Sequence, residues 1–410
     1  MQWSKVEPFL TLAWGLVLFT LPFSHAFNSV AMVLLLILTL LAQLTKNKPK
    51  VVLNAFTISS LALFALFWLI QVTAYFWFGR AFSVLEKAPL LLLPTLWLLG
   101  RLNYERASSI ISRMFHFSLL IVGMIMVLQS IVAFLQTNSL DVFVYDNLCE
   151  PFDLSPIYFS YFLLSALVWR PSPPFYSNRW MGLASNLFLV MLLMLAASKL
   201  FVFMGLVIGF FEVIKWKSAK RNRLLIPVAA LMTLLAYPVS KRFLEISQPR
   251  LDLVSQDDFR HDAAINGLNL RLIQWRFAVE IMLEQEAWIF GVGPKTDQEL
   301  LNEKYEQYDM YTGNPNVGDK GFRMYNFHNQ FMETMVTNGL IGLFCLIAIW
   351  TFIVYAHRKK LADGISYVMM ISFAFMLTES FLDRQRGVVL FAFFIAISLS
   401  SFRRLTPANV

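Results

Sequence analysis

Apolar residues run through this chain in long stretches broken by short polar clusters, and those stretches set its organisation. A membrane-crossing helix needs about 20 apolar residues. Twelve runs approach that length, near 6–23, 27–44, 51–74, 84–100, 115–136, 154–169, 180–197, 200–214, 224–240, 331–355, 365–380 and 388–402. The pattern predicts an all-α polytopic membrane protein of about twelve spans. The two runs flanking Lys199 are short, which predicts a tight helical hairpin whose turn barely leaves the membrane. A single long polar stretch, 241–330, divides the chain into nine spans over 1–240 and three over 331–410.

Within the long stretch, 270–290 carries a helical pattern. Leu272, Ile273, Phe277, Ile281 and Trp288 supply apolar surface, and Arg271, Gln274, Arg276, Glu280, Glu284 and Glu286 supply polar surface. Such a helix fits the membrane face, with Arg271 and Trp275 one turn apart on the same side. Gly291-Val292-Gly293-Pro294 ends it, and the segment holding Tyr305, Tyr308, Tyr311 and Tyr325 reads as loop.

Composition agrees with a membrane protein: 58% hydrophobic and only 15% charged, against roughly 25% charged in soluble domains. The net charge of +8 does not point to nucleic acid, because the basic residues form short clusters between apolar runs. Those clusters give a topology. With the amino terminus in the cytoplasm, Lys46 to Lys50, Arg101 to Arg113, Arg170 with Arg179, Lys215 to Arg223, Arg358 to Lys360 and Arg403 with Arg404 all fall inside. Both termini are then cytoplasmic and the long stretch is outside. Lys5 and Glu7 precede a first apolar run with no cleavage-like site, so that run is expected to stay as a helix. Cys149 and Cys345 are expected to be too far apart to bridge.

The cations that break the inside rule are the informative ones. Lys199, Arg384 and Arg386 lie at outside turns, and Arg271 lies in the long outside stretch. Lys199 reads either as a snorkelling lysine capping the hairpin or as an anion-binding group. An external, membrane-level set of cations suits an anionic lipid-borne ligand, the most demanding being a glycan on a polyprenyl diphosphate. Sugar transfer from it needs cations to steady the leaving diphosphate, a task for the arginine fork, and a base for the attacking hydroxyl, a task for histidine. Of five histidines, His116 and His357 fall inside, His25 lies in a short outside turn and His261 early in the long stretch. His328, where the chain re-enters the membrane, is the best placed, though a histidine there also fits a helix cap or interface residue. Glu333, one turn on, is its orienting partner or a rival base. No D-x-D pair is present, Asp257 and Asp258 are adjacent, and Glu284 and Glu286 do not share a helix face, so no metal or other cofactor is expected.

Five pieces of the second half, in order, resemble the family of O-antigen ligases and O-antigen polymerases. They are Ser198-Lys199, where the family usually has Ser-Arg; Arg271-x-x-x-Trp275; Gly291 to Pro294; His328-Asn329 followed by Gly339-x-x-Gly342; and Glu379 with Arg384, Arg386 and Gly387. The resemblance implies a glycosyltransferase of GT-C type in the bacterial inner membrane, with a large, partly helical periplasmic loop between helices nine and ten. It implies an undecaprenyl-diphosphate glycan as donor, a lipid A-core sugar as acceptor, inversion at the anomeric carbon, and no metal or nucleotide. Arg271 would stabilise the diphosphate and His328 would activate the acceptor hydroxyl, with Trp275, Asn329, Glu333 and Glu379 in support. Lys199 stands where the family has an arginine, keeping charge but losing the fork; Arg384 and Arg386 are candidates to replace it. In the first half, Pro156 and Tyr158 read as a helix start with an interfacial aromatic or as lipid-binding residues, and Pro89, Pro94, Pro227 and Pro238 read as helix kinks. A polymerase, whose acceptor is lipid-linked glycan, an enzyme transferring glycan to a protein hydroxyl, and a transporter of lipid-linked sugars remain open. The nearly charge-free spans and the lack of a repeat count against transport.

Overall fold

A computed structural model describes residues 2–52, 55–77, 84–169, 178–214, 251–259, 265–314, 318–358, 364–400 and 404–406. The described chain is helical apart from one short strand pair. Its helices are α1 Trp3–Thr20, α2 His25–Gln43, α3 Ala55–Trp77, α4 Val84–Lys87, α5 Pro89–Gly100, α6 Tyr104–Thr137, α7 Asp146–Cys149, α8 Pro156–Val168, α9 Arg179–Leu195, α10 Lys199–Ile214, α11 Gly267–Glu284, α12 Thr296–Gln307, α13 Gln330–His357, α14 Gly364–Met376 and α15 Gln385–Ser400. Strands Lys50–Val52 and Arg404–Thr406 pair antiparallel.

Eleven of the twelve predicted runs fall on helices; the run near 224–240 lies outside the described residues, as do His261, Pro227 and Pro238. Among the described residues, His25–Gln43, Thr57–Ala74, Tyr104–Thr137 and Gln330–His357 are each long and apolar enough to cross a membrane. Asp146–Phe152 with Pro156–Val168 forms a pair bent by 83°, and Pro89–Gly100, Arg179–Leu195, Gly364–Met376 and Gln385–Ser398 are shorter apolar helices. The chain is therefore a polytopic membrane protein.

The turns sort to two ends, the same two sets that the charge pattern predicts. At one end Trp3 N donates to Lys46 O (3.3 Å), Gln43 Nε2 to Leu99 O (2.9 Å) and Arg101 Nη1 to Pro49 O (2.6 Å), while His357 Nε2 meets Ser398 Oγ (3.0 Å). At the other end His25 Nδ1 meets Gln385 Oε1 (3.1 Å), Tyr145 N donates to Leu195 O (3.0 Å) and Tyr158 OH to Phe381 O (3.1 Å). Between them lies an aromatic core in which Trp14 and Trp97 meet edge to face at 5.0 Å with Phe393 against both.

A second, smaller core caps the end that carries Tyr145 and Phe381. Ile273, Phe277 and Ile281 of α11 pack on Leu301 and Tyr305 of α12 and on Val336 of α13. This corrects two expectations. The amphipathic helix ends at Glu284 rather than 290, and its Ile273, Phe277 and Ile281 are buried against other helices while Leu268, Val279 and Leu283 stay exposed. The stretch read as loop contains α12, so Tyr305 is helical and fully buried, and Tyr308 caps that helix. α12 escaped notice because its sequence is polar; Leu301 and Tyr305 are buried with Leu300 partly covered beside them, and packing on α11 stabilises it.

The two glycine motifs explain each other. α13 breaks at Gly339 (φ 66°, ψ −168°), and the 288–293 turn fits into the break. Val292 N donates to Val336 O (2.8 Å), Gly293 N to Thr337 O (3.0 Å) and Leu340 N to Trp288 O (2.8 Å). The turn thus satisfies backbone groups that a broken apolar helix would otherwise bury unpaired. A Cβ on Gly339 would sit 2.2 Å from Ile289 O, and one on Gly291 would sit 2.5 Å from Asn338 N, so neither position has room for a side chain.

Candidate active site

Three segments far apart in sequence converge where α11 meets the starts of α13 and α15. Asn266 caps α11, its Oδ1 accepting from Leu268 N (3.1 Å) and Asn269 N (2.9 Å). One turn in, Arg271 turns back along the helix. Its Nη1 donates to Gly267 O (2.8 Å), its Nε to Thr378 O (3.0 Å) and its Nη2 to Glu379 Oε1 (2.7 Å). The other carboxylate oxygen, Oε2, faces His328 Nδ1 at 2.7 Å. A single carboxylate therefore joins the arginine to the imidazole.

The segment before α13 is held from all sides. Trp275 Nε1 donates to Phe327 O (3.0 Å), and Asn326 Oδ1 accepts from His328 N (3.1 Å). His328 sits in left-handed backbone (φ 46°), uncommon for a non-glycine residue and maintained here by its neighbours. Asn329 supplies the helix cap, accepting from Phe331 N (2.9 Å) and Met332 N (3.1 Å), while its Nδ2 donates to Leu377 O (3.2 Å). Capping thus falls to Asn329 and leaves the His328 ring to Glu379. Glu333 is not the partner of His328; its Oε2 accepts from Ser380 Oγ (2.9 Å) and Phe327 N (3.4 Å).

The electrostatics follow from this geometry. Burial raises the Glu379 carboxyl, but the hydrogen bond from His328 and the electrostatic attraction of His328 and Arg271 outweigh it, so Glu379 titrates below its ordinary value of 4.5. A carboxylate on Nδ1 fixes that nitrogen as the donor and leaves the Nε2 lone pair for a proton. Of the five N–H donors of Arg271, three are engaged within the protein and two remain for a ligand. The arrangement suits an anion beside a proton acceptor.

The remaining predicted residues are placed unequally. Lys199 opens α10, half-buried, after a hairpin turn of three residues. Arg384 is exposed between Asp383 and α15. Arg386 points inward, contrary to its expected ligand role: it is 7% exposed, and its Nη1 and Nη2 donate to Asp153 O (2.8 Å) and Phe152 O (3.3 Å). Arg276 is likewise committed to the fold, bonded to Glu280 (2.6 Å), Asp257 (2.9 Å) and Tyr308 (3.0 Å). Sequence reasoning missed Asp297, Gln330 and Asp383, which gather beside Glu333; nothing in their spacing signals it.

The fold and the site define a membrane-embedded protein whose cation and imidazole meet at one end of a helical bundle. Residues 181–347 match the Wzy_C family model, described as O-antigen ligase. The match spans Lys199, Arg271, Trp275, His328, Asn329 and Glu333, and shows the resemblance read from the motifs for this part of the chain. No curated protein matches the sequence.

Proposed function

We propose that the protein is an O-antigen ligase, a metal-independent inverting glycosyltransferase that moves a glycan from undecaprenyl diphosphate to a hydroxyl of lipid A-core. In this reading about twelve spans of GT-C type cross the bacterial inner membrane, with both termini cytoplasmic. Residues 241–330 form a periplasmic unit between residues 1–240 and 331–410. The observation that carries the reading is Glu379, which holds Arg271 and His328 on its two oxygens at 2.7 Å each.

His328 Nε2 takes the acceptor hydroxyl proton as the oxygen attacks the anomeric carbon. The bond from that carbon to the diphosphate oxygen breaks on the opposite face, and its electron pair leaves with the diphosphate. Arg271 meets the developing charge with its two remaining N–H groups, an interaction stronger in the transition state than in the ground state. Lys199 and Arg384 supply further positive charge to the diphosphate. Arg386 holds the 152–153 turn in place, so its contribution is to the shape of the site. Glu379 orients the imidazole and stabilises it once protonated, and Trp275 and Asn329 fix the segment that carries it.

The test is reconstitution with an undecaprenyl-diphosphate glycan under excess chelator, offering lipid A-core or a second lipid-linked glycan as acceptor. Glycan on lipid A-core with chelator present is the expected product. Glycan on the lipid-linked acceptor alone identifies a polymerase. Transport of lipid-linked glycan with no transfer overturns the enzyme reading.

A further inference from the structure

Next to the residues that anchor the 326–328 segment lies a cavity of about 290 Å³, near the lower size of small-molecule sites. Gln71 of α3, Asp297 of α12, Gln330, Glu333 and Asn338 of α13, and Asp383 line it. Two lining residues tie the cavity to the His328 loop: Asn326 Nδ2 donates to Asp383 Oδ2 (3.3 Å) and Phe327 N donates to Glu333 Oε2 (3.4 Å).

Most of its polar groups are held by the protein. Thr337 Oγ1 donates to Asp297 Oδ2 (2.7 Å), Leu382 N to Gln330 Oε1 (2.5 Å), and Lys87 pairs with Asp383 (3.5 Å). Asn338 differs: it is 3% exposed, and its Oδ1 accepts no hydrogen bond among the described residues. An orphaned amide oxygen costs about 1–3 kcal/mol of desolvation unless something donates to it. Asn338 lines the cavity immediately before the Gly339 break, with its side chain packed over Gly342.

The chemistry of the lining selects the ligand. Four carboxyl groups, Glu86, Asp297, Glu333 and Asp383, stand against two ammonium groups, Lys87 and Lys295. That balance disfavours a phosphate and separates this cavity from the Arg271 side. Among the described residues no three or more His, Cys, Asp or Glu side chains are grouped to hold a metal ion. Burial raises the Asp297 carboxyl above its ordinary range, against the hydrogen bond from Thr337, and the Asp383 charge adds to the rise. Carboxyl and amide groups that both donate and accept match the hydroxyls of a sugar, each with one donor and two acceptor sites.

We propose that this cavity receives the acceptor's terminal sugar, an uncharged pyranose whose hydroxyls bond Gln71, Asn338, Asp297 and Glu333 and whose reactive hydroxyl is thereby presented to the His328 loop. The proposal rests on the glycan-transfer reading above and adds the acceptor's site to it.

The experiment titrates the intact protein in lipid nanodiscs with a phosphate-free lipid A-core oligosaccharide, read by saturation-transfer NMR, and measures transfer kinetics alongside. Asn338→Leu, which keeps the branched shape of the side chain, and Gln71→Leu are expected to weaken saccharide binding and raise the acceptor KM about tenfold. The donor KM and kcat should stay within about twofold, a tenfold change being the loss of about one hydrogen bond. His328→Ala should remove turnover and leave saccharide binding intact. Two variants guard against a folding defect in either, and the melting transition of each is compared with wild type. Unchanged saccharide binding in both folded variants, or a rise in donor KM instead of acceptor KM, overturns the proposal, as does failure of the wild type to bind the saccharide. If the wild type transfers no glycan the functional reading falls separately, and the binding arm still decides the subsite.

Discussion

The two hydrophobic cores of this protein are built on different principles. Between the two ends of the bundle, stability comes from interlocked rings such as Trp14, Trp97, Trp169, Phe393 and Phe394, with hardly a charge among them. In the outer layer the core is small, and ion pairs fasten it. Lys304, 3% exposed, bonds Glu284 at 2.6 Å and lies 3.3 Å from Glu280, which also holds Arg276. Arg276 in turn covers the Tyr308 ring at 4.8 Å. The catalytic candidates sit where the two constructions meet. A rigid apolar bundle fixes the start of α13 and the 377–380 turn, and a polar cap lowers Arg271 onto them. Such a boundary tolerates charge yet restricts water, which strengthens each electrostatic contact.

Substitutions can break or sharpen this contrast. The largest effects belong to the junction itself. His328→Ala and Arg271→Ala are each expected to slow transfer by about 10³-fold while size-exclusion and melting behaviour stay native, since each removes a group acting in the transition state. Wild-type rates in either would refute the assigned roles. Gly339→Ala places a Cβ 2.2 Å from Ile289 O in backbone that side chains avoid. It should cost about 3 kcal/mol and lower the yield of folded protein, measured by thermal unfolding in detergent.

Glu379→Gln keeps the shape and removes the charge. A fall in kcat of about 10- to 100-fold is expected, because the amide neither fixes the imidazole tautomer nor stabilises its protonated form. The same residue sets an acid limit. Its carboxyl titrates below the ordinary 4.5 when folded, so its contribution to stability is complete above that value and is lost as pH falls through the lowered one. A melting temperature that declines toward low pH less steeply in Glu379→Gln than in wild type would confirm the linkage. An identical decline in both would remove it.

The smaller effects test the cap and the hairpin. Lys304→Met should destabilise the outer layer by about 1–2 kcal/mol, since Glu280 keeps Arg276 and Tyr308 while Glu284 and the exposed Gln307 are released. Hydrogen exchange should then quicken in α11 and α12 and not in the apolar bundle; uniform change would deny the two-core contrast. Lys199→Arg should hold activity within about threefold, because charge is kept and the fork restored. A loss comparable to Arg271→Ala would show that the ammonium geometry of Lys199 is specific.

Much of this was legible along the chain. Arg271 and His328 could be selected by residue type and by their place along the chain, and Glu379 by the family resemblance. Their relation could not, because Glu379 is 108 residues from Arg271 and 51 from His328. Glu333, four residues past Asn329, looked like the natural partner, but the helix start directs it toward Ser380. Arg386 carried the same sequence signal as Arg384 and is buried on carbonyl groups. α12 lacked the apolar periodicity that marks a helix, since two of its four buried positions, Asp297 and Lys304, are charged.

Local chemistry alone determined the helical, membrane-crossing character of this protein and the sorting of its turns into two sets, because both depend on apolar run length and on charge between runs. It also supplied the two glycine motifs, which show that backbone must pass close to something without saying to what. Tertiary structure decided that these motifs fill one another, that a single carboxylate couples arginine to imidazole, and that a carboxyl-rich cavity is tied to the loop that carries the imidazole. Those are contacts between segments tens to more than a hundred residues apart, and packing geometry selects them where no local pattern does.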